Sequence, residues 1–140
     1  MNILVIDNAD QLVALLTESN VDVVYGVDEI QALNVVERQR PDLILLDYAV
    51  LGEQTPEYIR LLLEANEGAK LVVVGENLDE DDIFLCLLMG AAGYQDKCQL
   101  PAYLDKLLQV VAKGEVWVSR KMVARVLDAL RQLNADVLTA

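Results

Sequence analysis

Apolar residues in this chain follow two spacings. Five short runs are apolar nearly without interruption: Asn2–Ile6, 21–25, 43–46, 71–74 and a weaker one at 91–94. Between them, apolar residues recur at helical intervals. Leu12, Leu15 and Leu16 share one helical face, as do Ile30, Leu33 and Val36. Similar faces come at Tyr58–Leu63, Ile83–Leu88 and Tyr103–Val111. Strands apolar on both faces, alternating with amphipathic helices, predict a parallel sheet covered on both sides. Five such units predict a doubly wound, flavodoxin-like α/β fold with strand order 2-1-3-4-5. Pro41 and Pro101 mark the starts of a strand and of a helix.

After Lys113-Gly114 the pattern changes. Residues 115–119 read as a short extended piece carrying the only tryptophan, Trp117. Ser119 then predicts an N-cap for a helix over 120–133, with Val123, Val126, Leu127 and Leu130 as its apolar stripe. This helix is not needed to complete the sheet and reads as a connector. The expected organisation is therefore a domain at 1–114 and a connector at 115–140.

Composition narrows the function classes. The 140 residues are 54% hydrophobic and carry a net charge of −12, which repels nucleic acid and anionic membranes. With no histidine, a His-based catalytic triad or a histidine-ligated zinc site is excluded. Cys86 and Cys98 are not spaced as a CxxC pair and read as ordinary thiols, as expected of a reducing cytoplasm. No apolar run reaches the length of a membrane span. Neither GxGxxG nor GxxxxGK[ST] occurs, which argues against a nucleotide or flavin site, and Gly90 and Gly93 read as turn positions. The acidic run Asp79–Asp82 suits the positive end of a helix dipole better than a metal.

Candidate chemistry lies in the residues just beyond each run. In an open parallel sheet, ligands bind past the carboxyl ends of the strands, where strand order reverses. Asp7 and Asn8 come after the first run, Asp47 after the third, Gly75 after the fourth, and Lys97 past the fifth. In the predicted order, strands one and three are neighbours, so Asp7 and Asp47 emerge together. Two close carboxylates repel unless a cation compensates. All-oxygen donors suit Mg²⁺, with the amide oxygen of Asn8 and a backbone carbonyl just past Asp47 adding to the set. With Lys97 opposite, Asp47 is arranged to attack phosphorus.

The stretches ILVIDN, PDLILLD and GAAGYQDK resemble the receiver domain of bacterial two-component response regulators over residues 2 to about 113. GEVWVSRKMVARVLDAL resembles the connector of the NarL/LuxR-type subfamily, which leads to a helix-turn-helix domain. The resemblance implies Asp47 as phosphoacceptor; Asp7, Asp47, Asn8 and the backbone carbonyl of Ala49 as Mg²⁺ ligands; Lys97 as the phosphoryl contact; and Tyr94 as the switch aromatic. It further implies a histidine kinase as partner, a signalling role rather than an enzyme's, homodimerisation, a cytoplasmic location, and DNA binding only through a further C-terminal domain. Three departures stand out. Asn8 replaces a second acid, Gly75 replaces the Ser or Thr that bonds the phosphoryl group, and Val50-Leu51 replaces Met-Pro. The span from Asp7 to Asp47 is also a few residues short. The lost hydroxyl alone removes a charge-assisted hydrogen bond of about 1.5–3 kcal/mol, enough to uncouple phosphorylation from the switch. The alternative is a degenerate pseudo-receiver that serves as a phosphorylation-independent dimerisation or docking module.

Overall fold

A computed structural model describes residues 1–7, 11–17 and 23–139. The chain runs β1 (Asn2–Ile6), α1 (Gln11–Thr17), β2 (Val23–Val27), α2 (Glu29–Gln39), β3 (Leu43–Asp47), α3 (Thr55–Ala65), β4 (Lys70–Gly75), α4 (Glu80–Leu88), β5 (Gly93–Asp96), α5 (Leu100–Ala112) and α6 (Arg120–Thr139). All strand pairs are parallel, and the sheet order is β2-β1-β3-β4-β5.

The unbroken apolar runs have a simple cause: alternate residues of one strand enter different cores. Leu4, Ile6, Ile44, Leu46, Leu71 and Val73 pack against α2, α3 and α4. Ile3, Val5, Leu43, Leu45, Val72 and Val74 pack against α1 and α5. Helix starts obey local chemistry. The Asp28 carboxylate accepts from the N–H groups of Ile30 and Gln31 at the head of α2, and Pro56 and Pro101 sit in the first turns of α3 and α5. Ser119 caps α6, its hydroxyl accepting from Met122 N–H at 3.2 Å.

Three boundaries differ from the sequence expectation. β2 covers 23–27 rather than 21–25, because pairing with β1 carries it through Gly26 to Val27; residues 21 and 22 lie outside the described residues. β5 covers 93–96 rather than 91–94. Its polar end is stabilised by neighbours, with the Gln95 side-chain oxygen accepting from the Trp117 indole N–H at 2.9 Å. α6 continues past 133 to Thr139, since neither Gly nor Pro interrupts it.

The two glycines read as turns have separate reasons. Gly90 does take a left-handed φ of +116°. Gly93 is a strand residue, and a Cβ there would lie 2.5 Å from the Trp117 carbonyl oxygen. The piece around Trp117 runs along β5: Trp117 N–H donates to Ala92 O (2.9 Å), and Tyr94 N–H donates to Trp117 O (3.0 Å). It thereby covers an edge that would otherwise offer unpaired backbone groups.

The first half of α6 lies on α4. Arg125 pairs with Asp81 at 2.7 Å and stacks 4.1 Å from the Phe84 ring centroid, while Lys121 pairs with Glu80 at 3.4 Å. The acidic first turn of α4 thus faces a basic helix as well as its own dipole. Among the described residues, no helix is long and apolar enough to cross a membrane.

Candidate functional site

α1, which follows β1, and α3, which follows β3, pack on opposite faces of the sheet, so a crevice opens where β1 and β3 lie side by side. The register pairs Ile6 with Leu46. The next residue of each strand is therefore a carboxylate beside a carboxylate, Asp7 and Asp47. Both are buried, Asp47 to 2% exposure. Each is fixed by a backbone donor: Leu12 N–H to Asp7 Oδ2, and Ala49 N–H to Asp47 Oδ1, both at 3.0 Å. These contacts anchor Asp7 to the first turn of α1 and Asp47 to the 3₁₀ turn directly after it.

Lys97 crosses from the end of β5 and places Nζ 2.8 Å from Asp47 Oδ2. The hydrogen bond to Asp47 holds the ammonium's pKa above its ordinary value against the opposing effect of burial, and the charges of Asp47, Asp7 and Glu76 add to it. Asp7, Asp47 and Lys97 thus converge as their positions in the sequence predicted. Asn8 lies outside the described residues.

Gly75 ends β4, one residue past the Asp47–Val74 register pair. Tyr94 lies against it. The phenol donates to Gly75 O at 3.2 Å and accepts from Leu78 N–H at 3.4 Å. Burial, with Asp96 and Cys98 nearby, pushes the phenol's pKa up and keeps it a neutral donor. Gly75, Tyr94 and the start of the β4–α4 loop are therefore one hydrogen-bonded unit.

Two contributors escaped the sequence reading. Asp96 accepts from Cys98 N–H at 3.1 Å and fixes the turn that carries Lys97. Hydrogen bonds from Cys98 and from the Asn77 backbone hold its carboxyl below the usual range. Its signal was local, an aspartate two residues before a free N–H at a strand end. Glu76, directly after Gly75, adds negative charge near Lys97. Cys86 takes no part; burial pushes its thiol up to about 12.

Among the described residues, no three His, Cys, Asp or Glu side chains form a metal-holding group. Two buried carboxylates facing one ammonium nevertheless leave an excess of negative charge built from oxygen donors. That set fits a hard divalent cation whose remaining ligands are carbonyl, amide or water oxygens.

No family model matches the chain. The nitrate/nitrite response regulator NarL of Escherichia coli K12 is 33% identical over 105 residues, 75% of this chain and 49% of that protein. The chain spans about half the length of the curated relatives it matches. A LuxR-family two-component response regulator from Aurantimonas sp. SI85-9A1 superposes with a TM-score of 0.71 at 17% identity, covering 91% of this chain and 94% of that one. The isolated REC domain of RcsB from Salmonella enterica serovar Typhimurium, in its apo form, gives 0.73 at 19%, covering 91% and 98%. At those identities the structural likeness is one of fold.

Proposed function

Because this chain is a homologue of the NarL/LuxR-type response regulators, we propose that residues 1–114 act as a phosphoacceptor receiver and residues 115–140 connect it to a DNA-binding output domain. The observation that carries this reading is the Lys97–Asp47 contact at 2.8 Å, beside Asp7, at the switch of strand order. An Asp47 carboxylate oxygen attacks the phosphorus of a kinase phosphohistidine; the P–N bond breaks and an aspartyl phosphate forms. Lys97 then meets the charge spread over the phosphoryl oxygens. Asp7, Asp47, Asn8 and the Ala49 carbonyl would hold Mg²⁺, which when bound supplies further neutralisation of those oxygens. The role is signalling, in the cytoplasm. The net charge of −12 supports DNA contact only through the output domain.

One observation favours a second reading, the phosphorylation-independent module. Tyr94 already occupies the space beside Gly75 and donates to its carbonyl. That hydrogen bond holds the ring against the backbone of Gly75, with no hydroxyl at position 75 to draw it there. Backbone NMR with Mg²⁺ and a small phosphodonor or fluoroberyllate separates the two. The receiver reading expects shifts around Asp47, Gly75 and Tyr94 that vanish in Asp47→Asn and on chelation of the metal. Silence at saturating Mg²⁺ and mimic transfers the chain to the second reading. Gly75→Thr sharpens the result. A Cβ at position 75 meets Tyr94 Cε2 at 3.4 Å, so alanine fits while threonine's further atoms drive the ring outward. In that variant, phosphorylation should draw Tyr94 back.

A further inference from the structure

The connector touches the edge of the sheet at one point. Trp117 forms an isolated parallel bridge with Gly93, and the chain then turns away into α6. Between that bridge and the first turn of α5 lies a cleft of about 550 Å³, a volume typical of small-molecule sites. It is lined by Tyr94, Gln95, Gln99, Tyr103, Trp117 and Ser119, together with two valines. None of Asp7, Asp47 and Lys97 lines it, so it is separate from the charged crevice.

The lining defines what fits. The rings of Trp117 and Tyr103 have centroids 6.2 Å apart and planes inclined at 55°. A flat ring laid along one of them meets the other at a tilt, and aromatic pairs are favourable in both arrangements. The indole is held in place: its N–H donates to Gln95 Oε1 at 2.9 Å, and Gln95 Nε2 donates to Asp96 O at 3.0 Å. That fixed wall lowers the ordering cost of capturing a ligand. Polar recognition falls to groups with capacity left. The Gln99 side chain makes no capping bond to α5, and its amide is unengaged among the described residues. The Ser119 hydroxyl accepts from Met122 N–H and keeps its own proton to donate. No Asp, Glu, Lys or Arg lines the cleft. Nothing there balances a charge on a ligand, and the chain's −12 opposes an anion.

We infer that this cleft binds a neutral, planar aromatic molecule carrying a carboxamide or lactam edge. The ring lies against Trp117 and Tyr103. The ligand N–H donates to Gln99 Oε1, and the ligand carbonyl accepts from Gln99 Nε2 or the Ser119 hydroxyl. Trp117 O already takes the Tyr94 N–H at 3.0 Å, so an occupied cleft braces the strand that presents Tyr94. Binding needs neither Mg²⁺ nor a phosphoryl group, and its failure leaves the receiver reading intact.

Benzamide titrated to about 20 mM into the isotope-labelled chain tests it. The sequence holds one tryptophan, so its indole N–H gives a single, unambiguous NMR signal. The expected result is a saturable shift of that signal and of the Gln99 side-chain amide, with a dissociation constant of the order of millimolar. Benzoate, which is charged, and cyclohexanecarboxamide, which is not flat, should each bind at least about tenfold more weakly. Gln99→Ala and Tyr103→Ala should each weaken benzamide at least about fivefold. Both positions are exposed, and unchanged signals around Asp47 verify the fold of each variant. No saturable shift across the titration overturns the inference. Equal binding of benzoate or cyclohexanecarboxamide overturns the ligand class, and an affinity insensitive to both substitutions overturns the placement.

Discussion

The Lys97–Asp47 and Arg125–Asp81 pairs are 2.8 and 2.7 Å long, yet their surroundings differ. The first joins a carboxylate with 2% exposure to an ammonium with 16% at the end of the sheet. The second joins two exposed side chains on the surfaces of α4 and α6. Distance alone says they are equal. Desolvation says otherwise: removing one partner of a buried pair strands the other in a place water cannot reach, whereas an exposed partner simply rehydrates. The buried contact fixes two charges at the end of the sheet, while the exposed one ties one helix to another.

Lys97→Met should have the largest consequence. It leaves Asp47 beside Asp7 with the ammonium gone, and should lower unfolding free energy in metal-free buffer by about 3 kcal/mol, read from urea denaturation. A loss no greater than that of an exposed alanine substitution would put the two pairs in one class. Alkaline titration gives the next effect. The pKa of Lys97 is raised chiefly by its hydrogen bond to Asp47, so its contribution is complete below the ordinary lysine value of 10.5 and disappears as pH climbs through the higher folded value. Between those two values wild type should lose stability more steeply than Lys97→Met, and parallel curves would refute the coupling. Arg125→Ala should cost least, about 0.5–1 kcal/mol from the ion pair and the Phe84 contact together. Molar salt should erase part of that difference while leaving the Lys97 effect nearly whole.

The same contrast explains what was legible in the sequence. Asp7, Asp47 and Lys97 were readable because each comes after an apolar run, and the order of runs determines which ends are neighbours. The Ser119 cap was readable because its chemistry spans three residues. The Arg125–Asp81 contact joins residues 44 apart and left no local trace, so the acids of α4 were legible only as a match to their own helix dipole. The ends of β2 and β5 were misjudged by two residues because pairing with a neighbour, not hydrophobicity, carries Gly26, Gln95 and Asp96 into strands. Gly75 was legible as a missing hydroxyl. That a tyrosine ring takes up the vacated room depends on a strand nineteen residues away.

Trp117 has a practical consequence. It is the only indole in the chain. Its N–H rests on Gln95, between Tyr94 and the turn bearing Lys97 in the chain, and its ring is 6.2 Å from that of Tyr103. The protein thus carries a native fluorophore wired to the strand that ends at its charged crevice, and emission from the unlabelled chain reports on movement there.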